Sequence, residues 1–216
     1  RTIVNEAVAD GILTFNPFWG YEPERPQWKQ KYLTAEELEL IMTTPLHNAR
    51  LYIIRDLFLF SCYTGISYGD MCLLTKDDLV TDENGTLWIR TSRKKTKVEY
   101  EVPLLEVPLH ILSKYRDVEP NGKLLPMYCN SDVNKYLKTI ATKCGINRRI
   151  VFHAARHTYA TEITLSHGVP LETVSKMLGH TRVDTTQIYA KVTDDKINAD
   201  TKRLDNKISE RFTIAI

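Results

Sequence analysis

Five side chains between residues 153 and 189 could together handle a phosphodiester. His153, Arg156 and His157 stand in the run His153-Ala154-Ala155-Arg156-His157-Thr158. His180 closes Met177-Leu178-Gly179-His180, and Tyr189 closes Thr185-Thr186-Gln187-Ile188-Tyr189. A phosphodiester under attack gathers negative charge on its non-bridging oxygens. It needs a nucleophile, fixed donors for those oxygens and an acid for the departing oxygen. Tyrosine can attack phosphorus, and histidines can hold charge or move protons. The arginine fork can grip two oxygens and does not deprotonate at working pH. His153 and His157 lie four residues apart and so share a helix face. That spacing also suits zinc, but Ala154 stands where the glutamate of H-E-x-x-H belongs, and no Cys or carboxylate cluster completes a shell. No metal is expected.

The same block resembles the C-terminal active-site region of the tyrosine recombinases, the phage-integrase family. The family pattern is H-x-x-R-H-[TS], then L-G-H, then a tyrosine nine residues past that histidine. The interval from His180 to Tyr189 is also nine. The resemblance implies Tyr189 as nucleophile and Arg156 as phosphate clamp. It implies that His153 and His180 contact the phosphate or assist proton transfer, with His157 supporting the site by hydrogen bonding. Family members also carry a β-hairpin lysine eight residues before a Val-Pro-Leu proline. Val102-Pro103-Leu104 matches, which points to Lys95 as acid for the leaving oxygen, with Lys94 and Lys97 as rival registers.

One departure matters. The family motif T-G-[LM]-R-x-x-E reads here Thr64-Gly65-Ile66-Ser67-Tyr68-Gly69-Asp70. Ser67 takes the arginine position and Asp70 the acidic one, and serine supplies no positive charge. Arg93 precedes Lys95 by two residues. In an extended strand such residues share a face, so Arg93 is expected to reach the same phosphate. The serine also resembles the variant found in integrases of mobile elements from Bacteroidetes.

These residues need elements to position them. Thr34-Ala35-Glu36-Glu37 has the form of a capping box and opens a helix through Met42. Ala49 to Tyr63 predicts a largely apolar helix broken at Gly65. Ser67 is placed to cap a short third helix, with Asp70 at its third position. Leu87–Thr91 and Val98–Pro103 carry β-formers after the Asn84-Gly85 turn signal. Helices are expected near Val107–Arg116, Ser131–Lys143, His153–Ser166, Leu171–Leu178, Thr185–Tyr189 and Asp194–Ile208, with Gly168 ending the longest. The fold class is therefore mainly α with a small antiparallel β-sheet, the tyrosine-recombinase catalytic-domain architecture that the resemblance implies.

The organisation that the resemblance implies has three parts. Residues 1–26 form the end of an upstream DNA-binding domain and a linker marked by Pro23 and Pro26. Residues 27–192 form the catalytic domain, and residues 193–216 a tail for contacts between protomers. The chain is read as part of a longer protein. Its formal charge is only +2, so local clustering decides. Arg90, Arg93, Lys94, Lys95 and Lys97 form a run without acids, and Arg148-Arg149 precedes His153. Arg90, Lys94, Lys97, Arg148 and Arg149 are the expected DNA-backbone contacts. Cys62, Cys72, Cys129 and Cys144 show no paired spacing and read as reduced packing residues of a cytoplasmic protein. No apolar run approaches the ~20 residues of a membrane helix.

The resemblance further implies double-stranded DNA as partner and no cofactor. The chain would be a monomer alone and a homotetramer on DNA, with a host DNA-bending protein as a further partner. The function expected is a site-specific recombinase or integrase acting through a 3′-phosphotyrosyl bond for a mobile element. The competing readings are an impaired DNA-binding relative that lacks the first arginine, and a type IB topoisomerase. The L-G-H spacing and the tail past Tyr189 favour the recombinase.

Overall fold

The computed structural model describes residues 2–22, 32–116, 122–190 and 194–209. The chain divides into two units, Arg1–Gln30 and Lys31–Ile216. The expected boundary at residues 26/27, the Pro23–Pro26 linker, the boundary at 192/193 and the end of the tail from residue 210 lie outside the described residues.

In the first unit, helix α1 (Thr2–Ala9) buries none of its residues. Its turn is tied by Asn16 Nδ2 donating to Asn5 Oδ1 at 2.7 Å. Ile3, Ile12, Phe15 and Trp19 are exposed.

In the second unit, α2 (Ala35–Thr43) starts at the expected capping box: Thr34 Oγ1 accepts from Glu37 N, and Glu37 accepts from Thr34 N. Helix α3 (Ala49–Thr64) is the central element. Leu51, Ile54, Leu57, Phe58, Phe60 and Cys62 are all buried along it. Burial on several faces marks a helix surrounded by others, and each fully buried Leu or Phe contributes about 1.5–3 kcal/mol. Helices α5 (Glu106–Tyr115), α6 (Asn130–Lys143) and α7 (His153–Thr158) pack against α3. Between α3 and α5 come the short helix α4 (Tyr68–Met71), capped by Ser67, and an antiparallel sheet of order β1-β2-β3. Its strands are β1 (Leu79–Thr81), β2 (Leu87–Ser92) and β3 (Glu99–Pro103). Ile89 pairs with Val102, and both are fully buried. Helices α8 (Leu171–Met177), α9 (Asp184–Gln187) and α10 (Asp194–Ser209) follow.

The mainly helical class with one small antiparallel sheet matches the expectation. Four details differ. Strand β1 joins the sheet, although its three residues are too few to show an alternating pattern. The helix expected over 153–166 changes pitch after Thr158 and runs π-helical over Tyr159–Leu165. Thr164 Oγ1 bonds back to the carbonyls of Tyr159 and Ala160 at 3.0 and 2.8 Å, and Ser166 N reaches five residues back to Thr161 O. Such back-bonding loosens a helix ladder. Cys62 and Cys144 are buried as expected and Cys72 is half-buried, but Cys129 is exposed at the start of α6, outside the core. Finally, β2 ends at Ser92. Arg93 and Lys95 therefore do not share a strand face, because residues 94–96 form the turn of the hairpin.

Among the described residues no helix is long and apolar enough to cross a membrane. On α10, Ile197, Leu204 and Ile208 are exposed, and the Arg203 guanidinium lies against Gly168.

Candidate active site

Two helix ends build the centre of the site. The last carbonyls of a helix lack partners within it and carry the negative end of its dipole. Helix α3 stops at Gly65, whose φ of 69° is left-handed, and α8 stops before Gly179, with φ 63°. These turns present the carbonyls of Gly65 and Leu178 to Arg156. The buried guanidinium donates through Nη1 to Gly65 O at 2.8 Å and through Nη2 to Leu178 O at 2.5 Å. A side chain at Gly65 would collide with Tyr159 and Leu178, so the turn needs glycine as well as its left-handed backbone. Nη2 of Arg156 also lies 2.9 Å from His180 Nε2. Burial, then the charge of Arg93, pushes the Arg156 pKa down to about 10, which leaves it protonated at neutral pH.

Arg93 arrives at the same carbonyl from the hairpin. Its Nη1 donates to Leu178 O at 3.3 Å and its Nε lies 3.3 Å from Asp70 Oδ2. Asp70 is buried and fully engaged: Ser67 Oγ donates to Oδ2 at 2.8 Å, and the Lys94 backbone N–H to Oδ1 at 2.9 Å. Ser67 thus contributes a hydrogen bond to the carboxylate that holds Arg93. Gly179 leaves room for this path, since a Cβ there would lie 2.9 Å from Arg93 Cγ.

Tyr189 is buried beside this pair. Its ring meets His157 edge-on at 4.9 Å and lies nearly parallel to His180 at 6.3 Å; His157 in turn meets His153 edge-on at 4.8 Å. Burial raises the Tyr189 pKa. The charge of Arg156, a hydrogen bond from Arg156 and the charge of Arg93 pull it back. His180 is pushed down to about 4 by burial and by Arg156 and Arg93, so it is neutral at pH 7. His153 is exposed on a cleft of about 430 Å³ that it lines with Ser67, Gly69, Arg149 and Arg156. Phe152 N donates to Asn134 Oδ1 at 2.8 Å, which anchors the start of α7 beside that cleft.

The sequence-predicted residues thus fall into three groups. Tyr189, Arg156, His180, His157, Arg93, Asp70 and Ser67 cluster, with His153 and Arg149 on the adjoining cleft. Lys95 is exposed in the hairpin turn with Lys94 and Lys97, while Arg90 pairs with Glu101 on the surface at 3.1 Å. Arg148, expected on the DNA backbone, has its guanidinium engaged elsewhere. Its Nε donates to Glu37 Oε1 at 2.8 Å, and its Nη2 reaches Glu37 Oε2 at 2.5 Å and Tyr32 O at 2.6 Å. The ion pair fastens the capping box of α2, and Arg148 is the principal cause of the lowered Glu37 pKa. Sequence reasoning missed the two carbonyl acceptors and Thr186. Thr186 is fully buried, with its Oγ1 2.7 Å from His180 Nδ1. Its signal was a hydroxyl within the block that ends at Tyr189.

A cleft lined by Arg149 and Arg156, next to a cluster that holds a buried tyrosine and a neutral histidine, suits an anionic substrate. The chain belongs to the phage integrase family, whose pattern it matches over residues 31–196. It is 30% identical over 210 residues to the tyrosine recombinase XerD of Listeria monocytogenes, covering 89% of this chain and 69% of that protein. It is 28% identical over 202 residues to XerC of Neisseria gonorrhoeae, covering 88% and 65%. Among solved structures, XerA recombinase superposes with a TM-score of 0.63 at 24% identity, over 90% of this chain and 68% of that one. The Tn1549 transposon integrase, solved with a circular intermediate DNA, superposes with 0.71 at 18% identity, over 92% and 74%.

Proposed function

We propose that this chain cuts and rejoins duplex DNA as the catalytic part of a site-specific recombinase. The observation that carries the reading is the meeting of two guanidiniums, Arg156 and Arg93, at one carbonyl beside Tyr189. Two like charges at one carbonyl, with the carboxylate of Asp70 paired to Arg93, favour an anion between them, and a phosphodiester fits that requirement. The Tyr189 oxygen attacks phosphorus and loses its proton. The bond from phosphorus to the 5′ oxygen breaks, and that oxygen takes a proton and leaves as a free hydroxyl. The product is a 3′-phosphotyrosyl bond. Attack by another strand's 5′ hydroxyl reverses the step, so no energy cofactor is consumed. Arg93 supplies the charge that Ser67 lacks. We assign the acid to Lys95, which duplex DNA lying on the hairpin turn would meet, and backbone contacts to Arg90, Lys94, Lys97 and Arg149.

The same reading takes residues 1–26 as the end of a DNA-binding domain and 27–192 as the catalytic domain. It takes a homotetramer on DNA as the working assembly, with the exposed apolar residues of α10 in its protomer contacts and a host bending protein assisting. It takes integration and excision of a mobile element, of the kind found in Bacteroidetes, as the biological role.

The test is covalent capture. The chain is incubated with a pool of nicked duplexes of randomised sequence and resolved on a denaturing gel, and the attached residue is mapped by mass spectrometry. An adduct at Tyr189 is expected, and Tyr189→Phe, which removes one oxygen and keeps the ring, should give none while retaining DNA binding. Binding without any adduct would leave only a DNA-binding relative, and an adduct in the Phe variant would place the nucleophile elsewhere.

A further inference from the structure

The proton positions on His180 follow from its two partners. Nε2 faces Arg156 Nη2 at 2.9 Å. A guanidinium has five N–H donors and no acceptor, so Nε2 meets it with a lone pair. The ring is neutral at pH 7, so its single proton is on Nδ1. That nitrogen lies 2.7 Å from Thr186 Oγ1, and Thr186 is fully buried. The hydroxyl is the acceptor there, because the proton already sits on the imidazole.

We infer that Thr186 is a positioning residue: it locks His180 in the Nδ1–H tautomer and so keeps the Nε2 lone pair on Arg156. The chain of contacts runs Thr186, His180, Arg156, Leu178 carbonyl, and it links α9, the α8 end and α7. Without the hydroxyl, a half-buried N–H would lose its acceptor. The ring, no longer anchored, would then turn away from Arg156, and an imidazole released from that donor favours its proton on Nε2. Arg156 would lose one of its partners, and the guanidinium would be aimed less firmly. The charged groups facing His180 are Arg156 from α7 and Arg93 from the hairpin, and the Tyr189 ring lies parallel to it. Both cations oppose a second proton on the ring, which makes the choice one between neutral tautomers. The catalytic consequence rests on the reading of the site as a DNA strand transferase. The tautomer assignment does not.

The experiment has two arms. In the first, the free chain carries nitrogen-15 histidine and is observed by long-range proton–nitrogen NMR at neutral pH, with His180→Gln to assign the ring. His180 is expected to show a protonated Nδ1 and a bare Nε2. Thr186→Val, which keeps the shape of the side chain, should shift the population toward Nε2–H, and Thr186→Ser should restore the original pattern. In the second arm, single-turnover adduct formation is measured with the pool of nicked duplexes. The Val variant should slow by roughly 10- to 100-fold, below the about 10⁴ that a wrong tautomer costs when a buried carboxylate is the partner, and Ser should recover most of the rate. A wild-type spectrum with the proton on Nε2 overturns the proposal even if the Val variant does not fold. So does a Val variant that keeps both the wild-type spectrum and the wild-type rate. If the wild type forms no adduct while its spectrum is as expected, the strand-transferase reading fails and the tautomer lock stands.

Discussion

Arg156 and Arg93 reach the Leu178 carbonyl from regions built on different principles. Arg156 comes from a helix packed on the central helix of the domain, is buried, and is held by carbonyls at two glycine-terminated helix ends and by His180. Arg93 comes from the base of a hairpin whose turn is exposed, and it is held through one carboxylate that also grips the backbone of Lys94. The helical wall is complete before substrate arrives. The hairpin side leaves Lys94, Lys95 and Lys97 in solvent. Under the proposed function the difference is a division of labour: fixed donors for charge that develops at phosphorus sit in the core, where their reorganisation cost is already met, whereas groups that would meet a long duplex sit on an exposed turn.

The contrast is broken most severely at the wall. Arg156→Ala should slow adduct formation by at least the about 10²–10³ typical of losing one transition-state donor. Arg156→Lys should recover little, because an ammonium keeps the charge and loses the planar fork. Near wild-type single-turnover cleavage by Arg156→Ala would overturn the assignment.

Arg93→Ala sharpens the comparison. If Arg93 supplies the charge absent at Ser67, its loss should cost about as much as that of Arg156, again about 10²–10³, measured at saturating protein so that binding drops out. Ser67→Ala should be mild, since Asp70 keeps its bonds from Lys94 N and Arg93. A normal saturated rate for Arg93→Ala would reduce Arg93 to a backbone contact and leave the missing charge unexplained.

The exposed turn should reveal itself through salt. Binding should weaken with ionic strength, with each neutralised phosphate adding about 0.9 to the slope of log K against log salt. Lys94→Ala and Lys97→Ala should each flatten that slope by about that amount without changing the saturated cleavage rate. An unchanged slope in both would mean that the turn does not face the DNA backbone.

What the sequence made legible divides along the same line. The helices, their caps at Thr34 and Ser67 and the β2–β3 hairpin followed from local signals. The grouping of His180, Arg156 and Tyr189 followed from the family pattern that their types and spacing resemble. The acceptors that aim Arg156 did not, because a backbone carbonyl has no residue type, and only the left-handed turns at Gly65 and Gly179 expose it. Arg93 was singled out for a strand face that the structure does not have, since β2 stops one residue earlier; it arrives through Asp70 and the space left by Gly179. The π-helical stretch was hidden because Thr164 leaves the apolar pattern of a helix intact while diverting its carbonyls.

Arg148 gives the smallest expected effect and tests the comparison from the opposite side, as a basic residue drawn into the structure. It sat beside Arg149 in a basic pair, and nothing local showed that its partner, Glu37, lay 111 residues away. The pair is mostly shielded, with side chains 29% and 21% exposed, so the bond should survive solvent better than a surface ion pair. Arg148→Ala would remove these bonds from Glu37 and from the Tyr32 carbonyl. The expected loss is roughly 1.5–3 kcal/mol of stability, the range for hydrogen bonds to charged groups, read from urea unfolding. The Glu37 pKa is lowered in the folded chain, so this contribution is present above the ordinary glutamate pKa and is lost as pH falls through the lowered one. The difference between wild type and variant should therefore shrink on acidification. DNA affinity and its salt slope should stay unchanged at temperatures where both proteins are folded. A variant of full stability with a flatter salt slope would return Arg148 to the DNA-binding surface.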